Sequence, residues 1–405
     1  MQTALEIKFD SLEHYLSNLL ALHLEKGHQI AVWRKPKSQF LQILIDKSGK
    51  AKKVSPFLEE LPAGFIVHPF EDQEDKKAYY LEASSYFKID LNIPLEDQKE
   101  SIDAISIIKT NTESKTPINK SLFSSGENGL RESYFECSKQ DFVELVEKGI
   151  QAIENGELNK IVPAKLKKIE LTKEFDLVNS IKSLIHAYPN AFINFFHIPE
   201  VGSWLGASPE VLIQTKGDLF STMALAGTQK AVGDNPLKNT AWTQKEIEEQ
   251  ALVSRYIVDC FKKIRLREYD EIGPKTVLAG NLLHLRSDFK VNMKGTNFPQ
   301  LGSVMLELLH PTSAVCGMPR KEAFDFLRTH EKFDRSLFAG YIGPVNIEEE
   351  TSIYVNLRTA RLMDGFAILY AGAGVTEDSD PEKEWEETEM KCDIIGQHLN
   401  LQKKL

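Results

Sequence analysis

The chain has 405 residues, of which 42% are hydrophobic and 27% charged, and a formal net charge of -10. That balance suits a globular protein of one large domain or two to three smaller ones. The absence of any Lys/Arg-rich run argues against a nucleic-acid partner, and no apolar stretch approaches the roughly eighteen residues of a membrane span. The start, "MQTALEIKFDSLEHYLSNLL", has neither the charged lead nor the small-residue cleavage site of a secretory signal. Cys137, Cys260, Cys316 and Cys392 are scattered, with no CxxC. They read as reduced, buried thiols and point to a cytoplasmic protein.

In chain order, a helix is expected near the N-terminus. The β-like runs "HQIAVW", "FLQILID", "AGFIVHPF" and "SYFKIDL" follow it. The polar stretch 111–130 reads as a surface loop and the best soft boundary. Beyond it, Ser138 and Asp141 have capping-box spacing. Phe142, Val146, Ile150 and Ile153 repeat at helical spacing, and Gly156 closes the helix. "KIVPAKLKKIEL" reads as a strand, with Pro163 marking an edge or a bulge. Further β runs are "AFINFFHI", "SWLGASPEVLIQT", "LFSTMALAG", "SIYVNLRTARL" and "GFAILYAGAG", with helices near 240–264, 299–309 and 319–330 and a last one from about Pro381. Strands follow one another without strict alternation with helices. This predicts an α+β fold with a mixed or antiparallel sheet arrangement.

The segment 371–391, "AGAGVTEDSDPEKEWEETEMK", crowds carboxylates behind a glycine-rich strand end. On a helix from Pro381, capped by Ser379 or Asp380, Glu382, Glu386 and Glu389 share one side and read as a solvated face. Glu384, Glu387 and Lys391 share the other side, whose stripe continues to Ile394 and Ile395 and so faces the core. Two carboxylates there need compensation, from Lys391 as an ion pair or from a divalent cation. The helix "TQKEIEEQALVSRYIVDCF" offers a third carboxylate, Glu246 or Glu249, and periodicity does not choose between them.

The motifs "LNKIVPAK", "GASPE", "LAGT", "KEIEEQALV", "HL" at 284–285, "LHPTSAVCG", "FDRSLFAGYIG", "VNLRTARL" and "YAGAGVTEDSDPEKEWEETEMK" occur in this order from Leu158 to Lys391. Each alone is a weak signal. In this order they resemble the chorismate-utilising enzymes, and within them the isochorismate synthases. Residues 1–130 match only loosely. The resemblance implies a single α+β domain over 1–405, with two large, mostly antiparallel sheets face to face and helices outside. It implies an isomerase that converts chorismate to isochorismate with Mg²⁺, Lys160 activating water and Glu210 serving as general acid. It assigns the metal to Glu249 and Glu387, with Glu384 beside them. It assigns substrate contacts to Gly227, Thr228, His284, Ala314, Arg358, Gly372 and Lys391, and it implies a monomer without an amidotransferase subunit.

The residue types suit this chemistry. A dianion approaching an acidic protein needs local positive charge, which Arg358 and Lys391 supply. Delivery of a hydroxyl needs a base, which a lysine provides only when neutral. Departure of a hydroxyl needs an acid, and a glutamic acid holds its proton at neutral pH only if its pKa is raised. Blander readings stand beside these. Lys160 reads as a surface lysine, Glu210 as a strand-opening residue after Pro209, and His284 as a core histidine. Arg358, in an apolar run, calls for a partner. Pro163–Ala164, Glu248, Gln250 and Lys230 depart from the family's usual residues, which leaves fine selectivity open. Aminating relatives lack the lysine. Salicylate synthases, which also expel pyruvate, are the competing enzymatic reading. A silent chorismate-binding protein is the non-enzymatic one.

Overall fold

Short runs of β-branched and aromatic residues, bounded by Gly, Pro and Asn, recur along this chain. In the computed structural model they pair into two large sheets. The structure describes residues 12–71, 76–98, 137–232, 235–279 and 282–399; the boundary expected at 111–130 lies outside them. The first sheet has the order β6 (Ser85–Asp90), β2 (Phe40–Asp46), β1 (Gln29–Arg34), β9 (Phe192–Ile198), β10 (Gly202–Ser208), β18 (Thr359–Met363), β19 (Phe366–Gly372), β8 (Ala164–Glu170). The second runs β13 (Asp270–Ala279), β14 (Leu282–Asn292), β12 (Leu219–Lys230), β11 (Val211–Lys216), β17 (Glu350–Val355), β16 (Tyr341–Val345), β4 (Gly64–His68), β5 (Ala78–Glu82), β3 (Lys52–Val54). A two-stranded ribbon joins β7 (Lys160–Ile161) to β15 (Gly317–Met318). The described pairings in both sheets are antiparallel, for example β1 with β9 and β12 with β14.

Between the sheets lies an aromatic core. Trp33 and Phe196 of the first sheet meet Phe65 of the second, with ring centroids 5.4 and 6.2 Å apart. Phe192 stacks on Tyr354 at 3.9 Å. On the outer face of the first sheet, α1 (Leu12–Glu25), α3 (Leu177–Ala187) and α7 (Pro381–Gly396) bury Leu20, Leu184 and Ile395 in a second core. The other long helices are α2 (Lys139–Glu154), α4 (Gln244–Lys263), α5 (Leu301–Leu309) and α6 (Arg320–His330). The expected capping box closes on α2, where Ser138 Oγ accepts from Asp141 N at 3.1 Å and Asp141 Oδ2 accepts from Ser138 N at 3.3 Å. Asp380 caps α7, with Pro381 in its first turn.

Four sequence readings change. "SWLGASPEVLIQT" is two strands in different sheets, β10 and β11, with Pro209 and Glu210 at the hop. "SIYVNLRTARL" is likewise β17 and β18, so Arg358 is not within a strand; it sits in the connection at φ +48°. "KIVPAKLKKIEL" breaks at Val162–Pro163, because proline cannot donate to a ladder, into ribbon strand β7 and edge strand β8. Glu389 is not on a solvated face: it pairs with the fully buried Lys165 and, at 2.6 Å, with Lys167. Lys165 Nζ also lies 3.2 Å from the Trp385 ring centroid.

Trp204 is fully buried and stacks on both Phe196 and Tyr370. Trp204→Ala is expected to destabilise the fold by about 3–5 kcal/mol. Denaturant unfolding checks this through a lower midpoint at unchanged slope.

Candidate active site

The two strand hops lie side by side and are stitched together. Ala207 N donates to Arg358 O at 3.0 Å, Val355 N to Glu210 O at 3.1 Å, and Ser208 Oγ to Val355 O at 2.5 Å. This places Glu210 and Arg358 at one end of the inter-sheet space. Both line a pocket with Gly227, Thr228, Glu249, His284, Ala314, Gly372 and Lys391. Nine residues that the sequence singles out therefore share one cavity.

Arg358 is buried, and its Nη2 donates to His284 Nε2 at 2.6 Å. The other ring nitrogen of His284, Nδ1, lies 2.7 Å from Gly227 O. A carbonyl only accepts, so Nδ1 carries the proton and Nε2 accepts from the arginine. Burial and then Arg358 push the His284 pKa down to about 3, so the ring stays neutral. His284 is thus partnered, as a core histidine would be, yet its partner is the pocket's arginine. Burial also lowers Arg358, to about 10, which leaves it charged at neutral pH.

Glu210 is 4% exposed. Burial raises its carboxyl to about 8, against the opposing pull of Lys160, Arg358 and Lys391. Near neutral pH it therefore holds its proton.

Lys160 has no exposed surface, and its Nζ donates to Glu249 Oε1 at 2.8 Å. Glu249 Oε2 accepts from Gly227 N at 3.2 Å. Burial raises Glu249, but Lys160, followed by Lys245 and Lys391, outweighs this and holds it below the usual carboxylate range. A Cβ at residue 374 would collide with the Glu249 carboxylate and press on Lys160 Cε, so this close approach requires Gly374. Periodicity leaves Glu246 and Glu249 open, and the structure separates them. Glu246 Oε2 accepts from Thr243 N at 2.7 Å and so caps α4, while Glu249 faces the pocket.

Glu384 and Glu387 line an adjacent cavity of about 670 Å³, which shares Thr228 and Glu249 with the pocket. Glu384 is buried and pairs with Lys245. Glu387 pairs with Lys391 at 2.7 Å, and Lys391 also donates to Gly372 O at 2.8 Å. Burial, then repulsion from Glu387, raises Glu384 to about 7, partly offset by Lys245. The described residues hold no ready-made group of three or more metal-ligating side chains. The donors nevertheless suit Mg²⁺. They are carboxylate oxygens around one cavity, each already facing a cation, and two of them crowd each other enough to raise a pKa.

Sequence reasoning misses Lys245, Arg335, Phe338 and Tyr370. Lys245 pairs with Glu384, and the other three line the pocket. Lys245 and Arg335 lie inside quoted motifs, but nothing in their local pattern shows which way they face. The described residues include no helix long and apolar enough to cross a membrane.

The family described as "Chorismate binding enzyme" matches residues 50–400. The chain belongs to this family. Its similar relatives include isochorismate synthase EntC of Escherichia coli (strain K12), 29% identical over 268 residues. That match spans 64% of this chain and 67% of the relative. A second, isochorismate synthase MenF of the same strain, is 27% identical over 261 residues, 63% of this chain and 59% of MenF. Among solved structures, the menaquinone-specific isochorismate synthase MenF from Escherichia coli superposes with a TM-score of 0.73 at 21% identity, covering 98% of this chain and 92% of that one. The fold expected from the resemblance is therefore the fold observed: two large antiparallel sheets with helices outside.

The raised carboxyl is directly measurable. Isotope-edited infrared spectroscopy of the free protein is expected to show a protonated carboxyl band at neutral pH that titrates away near pH 8 and is missing from Glu210→Gln. The fold favours the protonated form of Glu210. It therefore loses stability as pH rises from the ordinary carboxylate range through about 8. Glu210→Gln should flatten that part of the stability profile.

Proposed function

We propose that this chorismate-binding enzyme is an isochorismate synthase. The observation that carries the reading is one pocket holding a neutral carboxylic acid, Glu210, and a buried guanidinium, Arg358, with Glu249 at its wall and Lys160 buried behind Glu249, paired to it. The names of the related sequences support the same activity.

Isomerisation adds water at C2 of the ring and expels the hydroxyl at C4. Arg358 and Lys391 neutralise substrate carboxylates in a pocket lined by buried groups, where charge attraction is strong. Gly227, Thr228 and Gly372 line the same pocket and bring main chain to its wall. His284, fixed between Gly227 O and Arg358, holds the guanidinium in place. Lys160, an ammonium paired with Glu249 in the free protein, acts as base only after giving up its proton, and then takes one from the attacking water. Glu210 gives its proton to the departing hydroxyl, a role for which a pKa near 8 is well matched. Glu249, Glu384 and Glu387 would hold Mg²⁺. When bound, the ion draws electron density from the ring carboxylate and orients the substrate. The water chemistry has no need of an amidotransferase subunit.

The test mixes purified protein with chorismate, with and without Mg²⁺, and separates the products by chromatography. Isochorismate formed only with Mg²⁺, without pyruvate, is the expected result. Salicylate with pyruvate would make the protein a salicylate synthase, and bound but unconverted chorismate would make it a silent binder. Lys160→Ala is expected to lose about a hundred-fold or more in turnover while its Kd for chorismate holds. Unchanged turnover would remove Lys160 as the base.

A further inference from the structure

The break at Val162–Pro163 leaves backbone groups that no strand partner satisfies. Upstream, Lys160 is well held. Asn159 N donates to Met318 O at 2.7 Å, and Ile161 and Val375 exchange backbone bonds of 3.1 and 2.8 Å. Val162 N reaches Cys316 O at 3.0 Å, and Pro163 O accepts from Ala373 N at 3.1 Å. The carbonyl of Val162 and the N–H of Ala164, on the free edge of β8, remain. A buried ion pair takes both. Arg335 Nη2 donates to Val162 O at 2.6 Å, and Glu331 Oε1 accepts from Ala164 N at 2.9 Å.

Arg335 and Glu331 bond each other at 2.8 Å through Nε and 2.5 Å through Nη2. Arg335 Nη1 reaches Val315 O at 2.8 Å, next to the pocket residue Ala314. Four of the five guanidinium donors are therefore engaged by protein groups. The side chains of the pair are only 3% and 5% exposed, and the guanidinium lies 4.3 Å from the Phe70 ring centroid. A charged fork in such a place fixes three segments in one rigid arrangement.

We propose that Arg335, held by Glu331, is the positioning residue for Lys160. It locks the segment leaving Lys160 against the Ala314–Val315 wall, and so sets where the lysine stands relative to bound substrate. Lysine cannot replace it, because one ammonium does not span the Val162 and Val315 carbonyls and the Glu331 carboxylate together. The inference rests on the proposed role of Lys160 as the base.

The experiment compares wild-type protein with Arg335→Lys, Arg335→Met and Glu331→Gln, all with chorismate and Mg²⁺. Calorimetric titration with chorismate gives the concentration of binding-competent sites, and kcat is expressed per competent site. Both Arg335 variants are expected to lose about ten- to a hundred-fold in kcat per site, with KM and Kd at wild-type level. Glu331→Gln, which keeps an acceptor for Ala164 N, is expected to lose less. A purely structural role would lower the Tm and the competent fraction but leave kcat per site unchanged. That result overturns the proposal, as does a loss confined to KM and Kd. If Arg335→Met fails to fold, Arg335→Lys and Glu331→Gln decide by the same criteria. Failure of the wild-type arm to make isochorismate would instead reject the functional reading, before any variant is compared.

Discussion

A lysine with no exposed surface must have its charge answered inside the protein, and at Lys160 the answer is Glu249 at 2.8 Å. Much of the site follows from this pair. It draws α4 against the glycine-rich end of β19, and it excludes any side chain from residue 374. It also fixes which glutamate of α4 faces inward, since Glu246 one turn earlier is bound to the helix cap. The break at Pro163 separates the short ribbon strand carrying Lys160 from the first sheet, and Lys160 meets Glu249 there. Position and charge are therefore set by one constraint.

The second organising device is the pair of strand hops. Two facing sheets have separate hydrogen-bond ladders, so a polar group between them meets neither. Where β10 becomes β11 and β17 becomes β18, the chain crosses that gap, and the crossing points bond to each other through Ala207, Ser208 and Val355. Glu210 and Arg358 are carried into the gap by these crossings. The low dielectric there disfavours the charged form of both, which is enough to protonate Glu210 but not to neutralise Arg358. Arg358 stays charged, with a neutral imidazole as its partner.

Much of this is legible in the chain, and the unread part has physical reasons. Helices with caps and long apolar stripes, such as α2 and α7, are visible from local pattern. The inward stripe of α7 correctly separates Glu384 and Glu387 from Glu382. It fails at Glu389, whose partner Lys165 lies on a strand remote in sequence, and no local rule shows that this lysine is buried. Strand identity within "SWLGASPEVLIQT" and "SIYVNLRTARL" escapes the sequence because apolar runs look alike whichever sheet they join. The left-handed backbone at Arg358 has no sequence mark either, since arginine is not a residue that favours it. Arg335 is visible only as part of a motif, because its role depends on a carbonyl orphaned by a proline far away in the chain.

The charges around the two cavities nearly cancel. Lys160, Lys245, Lys391 and Arg358 face the carboxylates Glu249, Glu384 and Glu387, while Glu210 is held neutral and Arg335 is matched by Glu331. The set is thus slightly positive, and each lysine is already committed to a glutamate. A substrate with two carboxylates would turn it net negative in a space where unbalanced charge is expensive. It would also compete with the glutamates for Lys391. A divalent cation held by Glu249, Glu384 and Glu387 would restore the balance. The ion pairs seen here keep a highly charged site stable by themselves, because each lysine has its charge answered by one glutamate.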